Sequence, residues 1–166
     1  MAENKIVNRA QRRHYMNTGT AEAPVWTLIG EGFTEFTESK NAVSYQRRYI
    51  HESVKRTDVT GYAPVVDYEF EVYTGNAVIA RLRDIADREL TGSDAWVEIC
   101  TADLFEETEE PGVCRAAVRT YSVIPDKSGE GTDTLIYTGT LRAVSGPVCG
   151  TFAVTAAVFT EGNTAG

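Results

Sequence analysis

The side chains that could do chemistry are few and far apart in the sequence. General acid or base work needs a histidine or carboxyl group held in an apolar cleft. The two histidines offer no such setting: His14 lies in a polar leader and His51 in a basic stretch. Cys100, Cys114 and Cys149 are an odd set with no CxxC pair, which argues against a zinc or disulfide framework. They read as small buried hydrophobes in a reducing compartment, with Cys100 and Cys114 free to face each other across a hairpin. Gly129-Glu130-Gly131 lacks the lysine and following helix of a phosphate-binding loop and reads as a turn. GxSxG, HExxH and EF-hand patterns are absent from the sequence. No activated nucleophile or metal set emerges, so the expectation is a non-enzymatic protein without a cofactor.

Charged side chains carry more information. Asp67, Glu69 and Glu71 stand at i, i+2 and i+4 of a strand-like stretch, sharing one face at a spacing of about 7 Å. That is a charged stripe and not an acid/base pair. Asp103, Glu106, Glu107, Glu109 and Glu110 form a second acidic group, without the ordered ligand spacing and glycine of a calcium loop. Lys40, Arg47, Arg48, Lys55 and Arg56 concentrate positive charge, opposed in that stretch only by Glu52. Net charge is −8, split along the chain: residues 1–60 hold nine Lys and Arg against seven Asp and Glu, and residues 61–166 hold seven against seventeen. Such runs are solvated loops or partner-facing surfaces. Opposite clusters on one small chain favour self-association.

The elements that must position these groups are mainly strands. Residues 1–24 are polar and aperiodic and read as an N-terminal arm, with no apolar core of a secretory signal. Val25–Gly30 is the first strand candidate and residues 31–41 read as loop. Residues 44–60 hold two extended stretches, near Tyr45–Ile50 and Val54–Val59, with no strong apolar face. Val66, Tyr68, Phe70 and Val72 alternate with the acidic stripe. Ala77–Leu90 has a helical apolar stripe, with Asn76 as cap and Thr91-Gly92 as stop. Trp96–Ala102, Cys114–Ile124, Thr134–Val144 and Val148–Thr160 are extended and separated by turns, suggesting a meander. Trp96 and Phe105 read as core aromatics. The domain is placed at residues 25–160 and a small polar tail at 161–166. At 166 residues one core suffices. The expected fold is a β-sandwich or open barrel of seven or eight strands with one flanking helix. No apolar run reaches the roughly 20 residues of a membrane helix.

The stretch DVTGYAPVVDYEFEVYTGNAVIARLRDIADRELTGSDA, Asp58–Ala95, resembles the major tail tube proteins of long-tailed bacteriophages, as do W..IGEGF at Trp26–Phe33 and YI.E at Tyr49–Glu52. The resemblance covers most of residues 25–160 through loose patterns. It implies hexameric rings stacked into a hollow tube in the virion tail, assembled in a host cytoplasm. Implied partners are other copies of itself, a tape-measure protein and tail-terminator or tail-tip proteins. Phage DNA would pass the lumen without specific binding, because like charge removes phosphate attraction. In such tubes a long hairpin and terminal arms cross subunit boundaries, which assigns residues 38–59, 1–24 and 161–166 to contacts. Lys40, Arg47, Arg48, Tyr49, Ile50, Lys55 and Arg56 then form an inter-subunit hairpin whose cations meet the Asp103–Glu110 loop of a neighbour. Asp67, Glu69 and Glu71 are candidates for the lumen lining. A contractile injection machine's tube, or a terminator ring, shares these features. A monomeric ligand-binding β-barrel would explain the strands without the arms.

Overall fold

The computed structural model describes residues 3–129 and 132–162; most of the expected C-terminal tail and part of the Gly129–Gly131 turn lie outside them. Among the described residues eleven strands and one α-helix follow in chain order. They are β1 (Arg12–Asn17), β2 (Trp26–Ile29), β3 (Phe33–Ser39), β4 (Ala42–Arg47), β5 (Arg56–Tyr62), β6 (Val65–Glu71), α1 (Ala77–Asp87), β7 (Trp96–Glu107), β8 (Val113–Gly129), β9 (Ile136–Ala143), β10 (Val148–Ala153) and β11 (Val158–Glu161). The fold is mainly β, 53% strand, and the principal sheet curls into a half-barrel. Its path is β2-β1-β7-β8-β9-β6-β3; β10 pairs with the first part of β8, on the edge whose last part holds β9, and β11 lies beyond β10. β4 and β5 form a separate two-stranded sheet.

The alternating stretch behaves as its pattern dictates. Val66, Tyr68 and Phe70 are buried while Asp67 is exposed and Glu69 and Glu71 are half-buried. Phe70 stacks between Phe33 at 5.2 Å and Tyr137 at 5.5 Å. The helix seals this face with Val78, Ile79, Leu82 and Ile85. Asn76 Oδ1 accepts the N–H groups of Val78 and Ile79 at 3.0 and 3.2 Å, satisfying donors that a helix start leaves without partners. Asn76→Ala should therefore lower unfolding stability by about 1 kcal/mol in denaturant titration. The helix ends at Asp87, earlier than the expected Leu90: Glu89 takes the left-handed turn, with φ 51°, and Gly92 opens a short 3-10 turn.

A second core occupies the opposite face. Tyr15, Trp26, Cys100, Ala102, Cys114, Ala116 and Phe152 meet there, whereas Met16, Val97 and Ile99 point to the helix side. Strands β1 and β7 are thus buried on both faces along part of their length.

Several sequence expectations change. The presumed arm supplies β1, paired to both β2 and β7. The presumed loop 31–41 holds β3, whose Phe33 and Phe36 pack on the first core. The last extended stretch is two strands, parted by a turn where Ala157 has φ 53°. β7-β8-β9 is a meander, but β1 and β6 flank it out of chain order. Trp96 and Phe105 are 45% and 40% exposed and are not core. Cys100 lies opposite Val118, and Cys114 opposite Glu107, so the two do not face each other. Both are buried and Cys149 is exposed; desolvation pushes the Cys100 thiol up to about 12.

Candidate functional site

The hairpin β4–β5 is the feature the core does not explain. It leaves the sheet after β3 and returns at β6, and its ladder from Ala42↔Tyr62 to Arg47↔Arg56 contacts only itself as a sheet. Val43, Tyr45, Tyr49, Ile50, Val54, Val59 and Tyr62 are all at least half exposed, and Ile50 at the tip is wholly so. A two-stranded hairpin is marginal in water by itself, and clustered exposed apolar side chains mark a surface that binds something.

Its cations are arranged differently from the sequence expectation. Arg47 and Arg56 face each other in register, a repulsive placement that two carboxylates and a tyrosine relieve. Arg47 pairs with Asp58 and Arg56 with Glu52. Tyr49 lies beneath both guanidinium groups, 6.0 Å from Arg47 and 5.7 Å from Arg56, and Tyr45 is 5.5 Å from Arg47. Arg47 Nε also donates to Tyr49 Oη at 3.2 Å. Lys40 pairs with Glu38 on β3. Three of the five expected inter-subunit cations are thus engaged within their own chain; among the described residues, Arg48 and Lys55 hold no ion pair.

Part of the expected acidic partner loop is likewise engaged within its own chain. Asp103 is a buried residue of β7, held by a bidentate contact to Arg12: Nε to Oδ1 at 2.6 Å and Nη2 to Oδ2 at 3.0 Å. Glu106 pairs with Arg115 at 3.1 Å, and Glu107 accepts the Gly112 N–H at 2.8 Å. Glu107, Glu109 and Glu110 are all exposed and in no ion pair among the described residues. The alternation that buries Asp103 beside Arg12 was invisible because β1 itself was not expected.

Asp67, Glu69 and Glu71 lie on the sheet face opposite the helix. Glu35 of β3 sits directly across from Glu69, a neighbour the sequence reading missed because it placed residue 35 in a loop.

His14 is no bystander in a leader. It is buried on β1, 4.5 Å from the Phe36 ring. Its Nε2 lies 3.3 Å from an Arg9 guanidinium nitrogen, so it accepts there, and Nδ1–H donates to Thr101 Oγ1 at 3.0 Å. Desolvation, then the charges of Arg9 and Arg12, lower its pKa to about 4, against the smaller opposing pull of Glu38 and Asp103. The unfolded chain therefore binds the proton first as pH falls below about 6.5. Stability present above that pH should drop by roughly 3 kcal/mol on the way to pH 4. Denaturant midpoints at pH 7 and pH 4.5 check this, and His14→Gln should flatten the His-dependent part of the profile. His51 is exposed and stacked on Tyr49. Among the described residues no three His, Cys, Asp or Glu side chains converge on a metal-sized site.

No protein-family model matches the chain, and no curated protein matches it by sequence. Among solved structures, a chain of the anti-feeding prophage baseplate, determined by cryo-EM with six-fold symmetry applied, shares the fold. The match has a TM-score of 0.51 at 15% identity and covers 93% of this chain and 99% of that one.

Proposed function

We propose that the protein is a structural subunit of a phage-tail-like particle, which associates with further copies of itself as six-membered rings stacked into a tube. The observation that carries this reading is the β4–β5 hairpin, a projecting ribbon with seven exposed large apolar side chains and no core of its own. Burying such side chains gains about 1.5–3 kcal/mol each when complete. Partial burial of seven gives a gross gain of roughly 5–10 kcal/mol per contact, comparable to the cost of association. One contact is therefore weak, and a closed ring or repeating stack, in which each subunit both gives and receives a hairpin, is strong.

The fold shared with a baseplate chain of six-fold symmetrised structure supports a place in such a particle. It also favours a second reading, a tube or ring component of a contractile injection machine, because an anti-feeding prophage baseplate chain is among the structures that share the fold. Under either reading the partners beyond itself are other tail components: a tape-measure protein, terminator or tip proteins, and DNA or another cargo that passes without specific binding. The protein does its work by assembly and not by catalysis. No helix among the described residues is long and apolar enough to cross a membrane. Sedimentation velocity over a concentration series tests the reading: a boundary that moves to ring-sized and larger species is expected, and a lone monomer at high concentration contradicts it.

A further inference from the structure

The hairpin tip leaves a specific question of what it lands on. Its unneutralised groups are mixed: Ile50 and Val54 are apolar and fully or largely exposed, while Arg48 and Lys55 flank them without ion pairs among the described residues. The loop expected to receive the cations has spent Asp103 on Arg12 and Glu106 on Arg115.

A different surface has the matching character. On the sheet face opposite the helix, β3, β6, β8 and β9 form a shallow groove of about 400 Å³, lined by Glu35, Asp67, Ile124, Pro125, Asp126 and Thr138. β8 is irregular at this point, where its pairing with β9 shifts between Pro125 and Lys127. Ile124 is 42% exposed on the groove floor. Glu35 opposes Glu69 in register, and like charges placed so destabilise a ladder. Among the described residues none of Glu35, Asp67, Glu69 and Asp126 is in an ion pair. An apolar floor with uncompensated carboxylates on its rim is the complement of an apolar tip flanked by two free cations.

We propose that the groove receives the hairpin tip of a second copy of this chain, Ile50 and Val54 resting on Ile124 and Pro125 while Arg48 and Lys55 meet Glu35, Asp67 and Asp126. The chain's own tip does not fill it, since Ile50 is wholly exposed within the subunit. Donor and acceptor are different surfaces of one molecule, so the contact is head-to-tail and repeats. The proposal rests on the self-assembly reading, and it moves Asp67 from an open lumen face to a covered subunit contact.

The test uses the full chain with Cys149→Ser, which leaves only the two buried cysteines. Ile50→Cys and Ile124→Cys are added together and the assembled protein is oxidised, a disulfide requiring Cα atoms within about 7 Å. A ladder of disulfide-linked oligomers on a denaturing gel is expected. In parallel, Arg48→Glu with Lys55→Glu should raise the concentration needed for assembly about tenfold or more. Adding Asp67→Lys and Asp126→Lys to that variant should restore most of the loss. An assembled wild type whose Ile50/Ile124 variant gives no ladder, while a control pairing Ile50→Cys with Glu109→Cys gives one or neither does, overturns the docking site alone. So does failure of the charge exchange to rescue. A wild type that stays monomeric at every concentration overturns both this site and the assembly reading.

Discussion

Replacing residues 40–64 with an Asn-Gly turn should leave a folded monomer that no longer assembles. Ser39 and Val65 are partners in the β3–β6 ladder, so a two-residue loop of the kind that closes hairpins can join them without moving either strand. The excised segment supplies no side chain to either buried cluster; its one buried residue is Pro64, whose carbonyl accepts the Ala143 N–H at 3.1 Å. Its ion pairs and tyrosine–arginine contacts are internal to it apart from Lys40 with Glu38. Thermal unfolding should shift by no more than about 3 °C, equivalent to roughly 1 kcal/mol for a domain of this size, while rings and filaments vanish. A variant that assembles as well as the parent would show that the hairpin is dispensable. Because Arg47 and Arg56 are compensated within the hairpin, raising salt should weaken assembly less than a contact built on all five cations would require.

The second large effect is on stability. Phe70 is fully buried and stacks on Phe33, Tyr68 and Tyr137 at centroid distances of 5.2–5.9 Å. It sits where three strands and the helix meet, and close-packed surroundings relax only partly around a lost ring. Phe70→Ala should cost about 3–5 kcal/mol in chemical unfolding. Conservative Phe70→Leu should cost markedly less. Equal and small effects from both would mean that this face is not the principal core.

Elements with one wet face were legible in the sequence, and elements without one were not. The VVDYEFE strand and the Ala77–Asp87 helix each show a clean period because one side meets the core and the other water. Strand β1 escaped notice because His14, Tyr15 and Met16 are buried in succession, alternately by the two cores, so no period of two survives. Strand β3 escaped because it lies at an end of the sheet path and offers only Phe33 and Phe36 to the interior. The hairpin was recognised as half-polar and out of place in a core. What its charges do was not legible, since the pairing of Arg47 with Asp58 depends on a ladder register that a bulge between Val43 and Ser44 shifts. The internal pairing of the acidic group was hidden for a related reason: Asp103 continues a strand beyond Ala102, and Arg12 beside it, with Arg115 across the ladder, makes its burial tolerable.

The central claim is that this chain builds a repeating particle from copies of itself through the hairpin. Negative-stain electron microscopy of the purified full-length protein at rising concentration tests it most directly. Six-membered rings and hollow tubes in the parent, absent from the residue 40–64 replacement, are the predicted result; a field of isolated monomers from the parent at every concentration would contradict it.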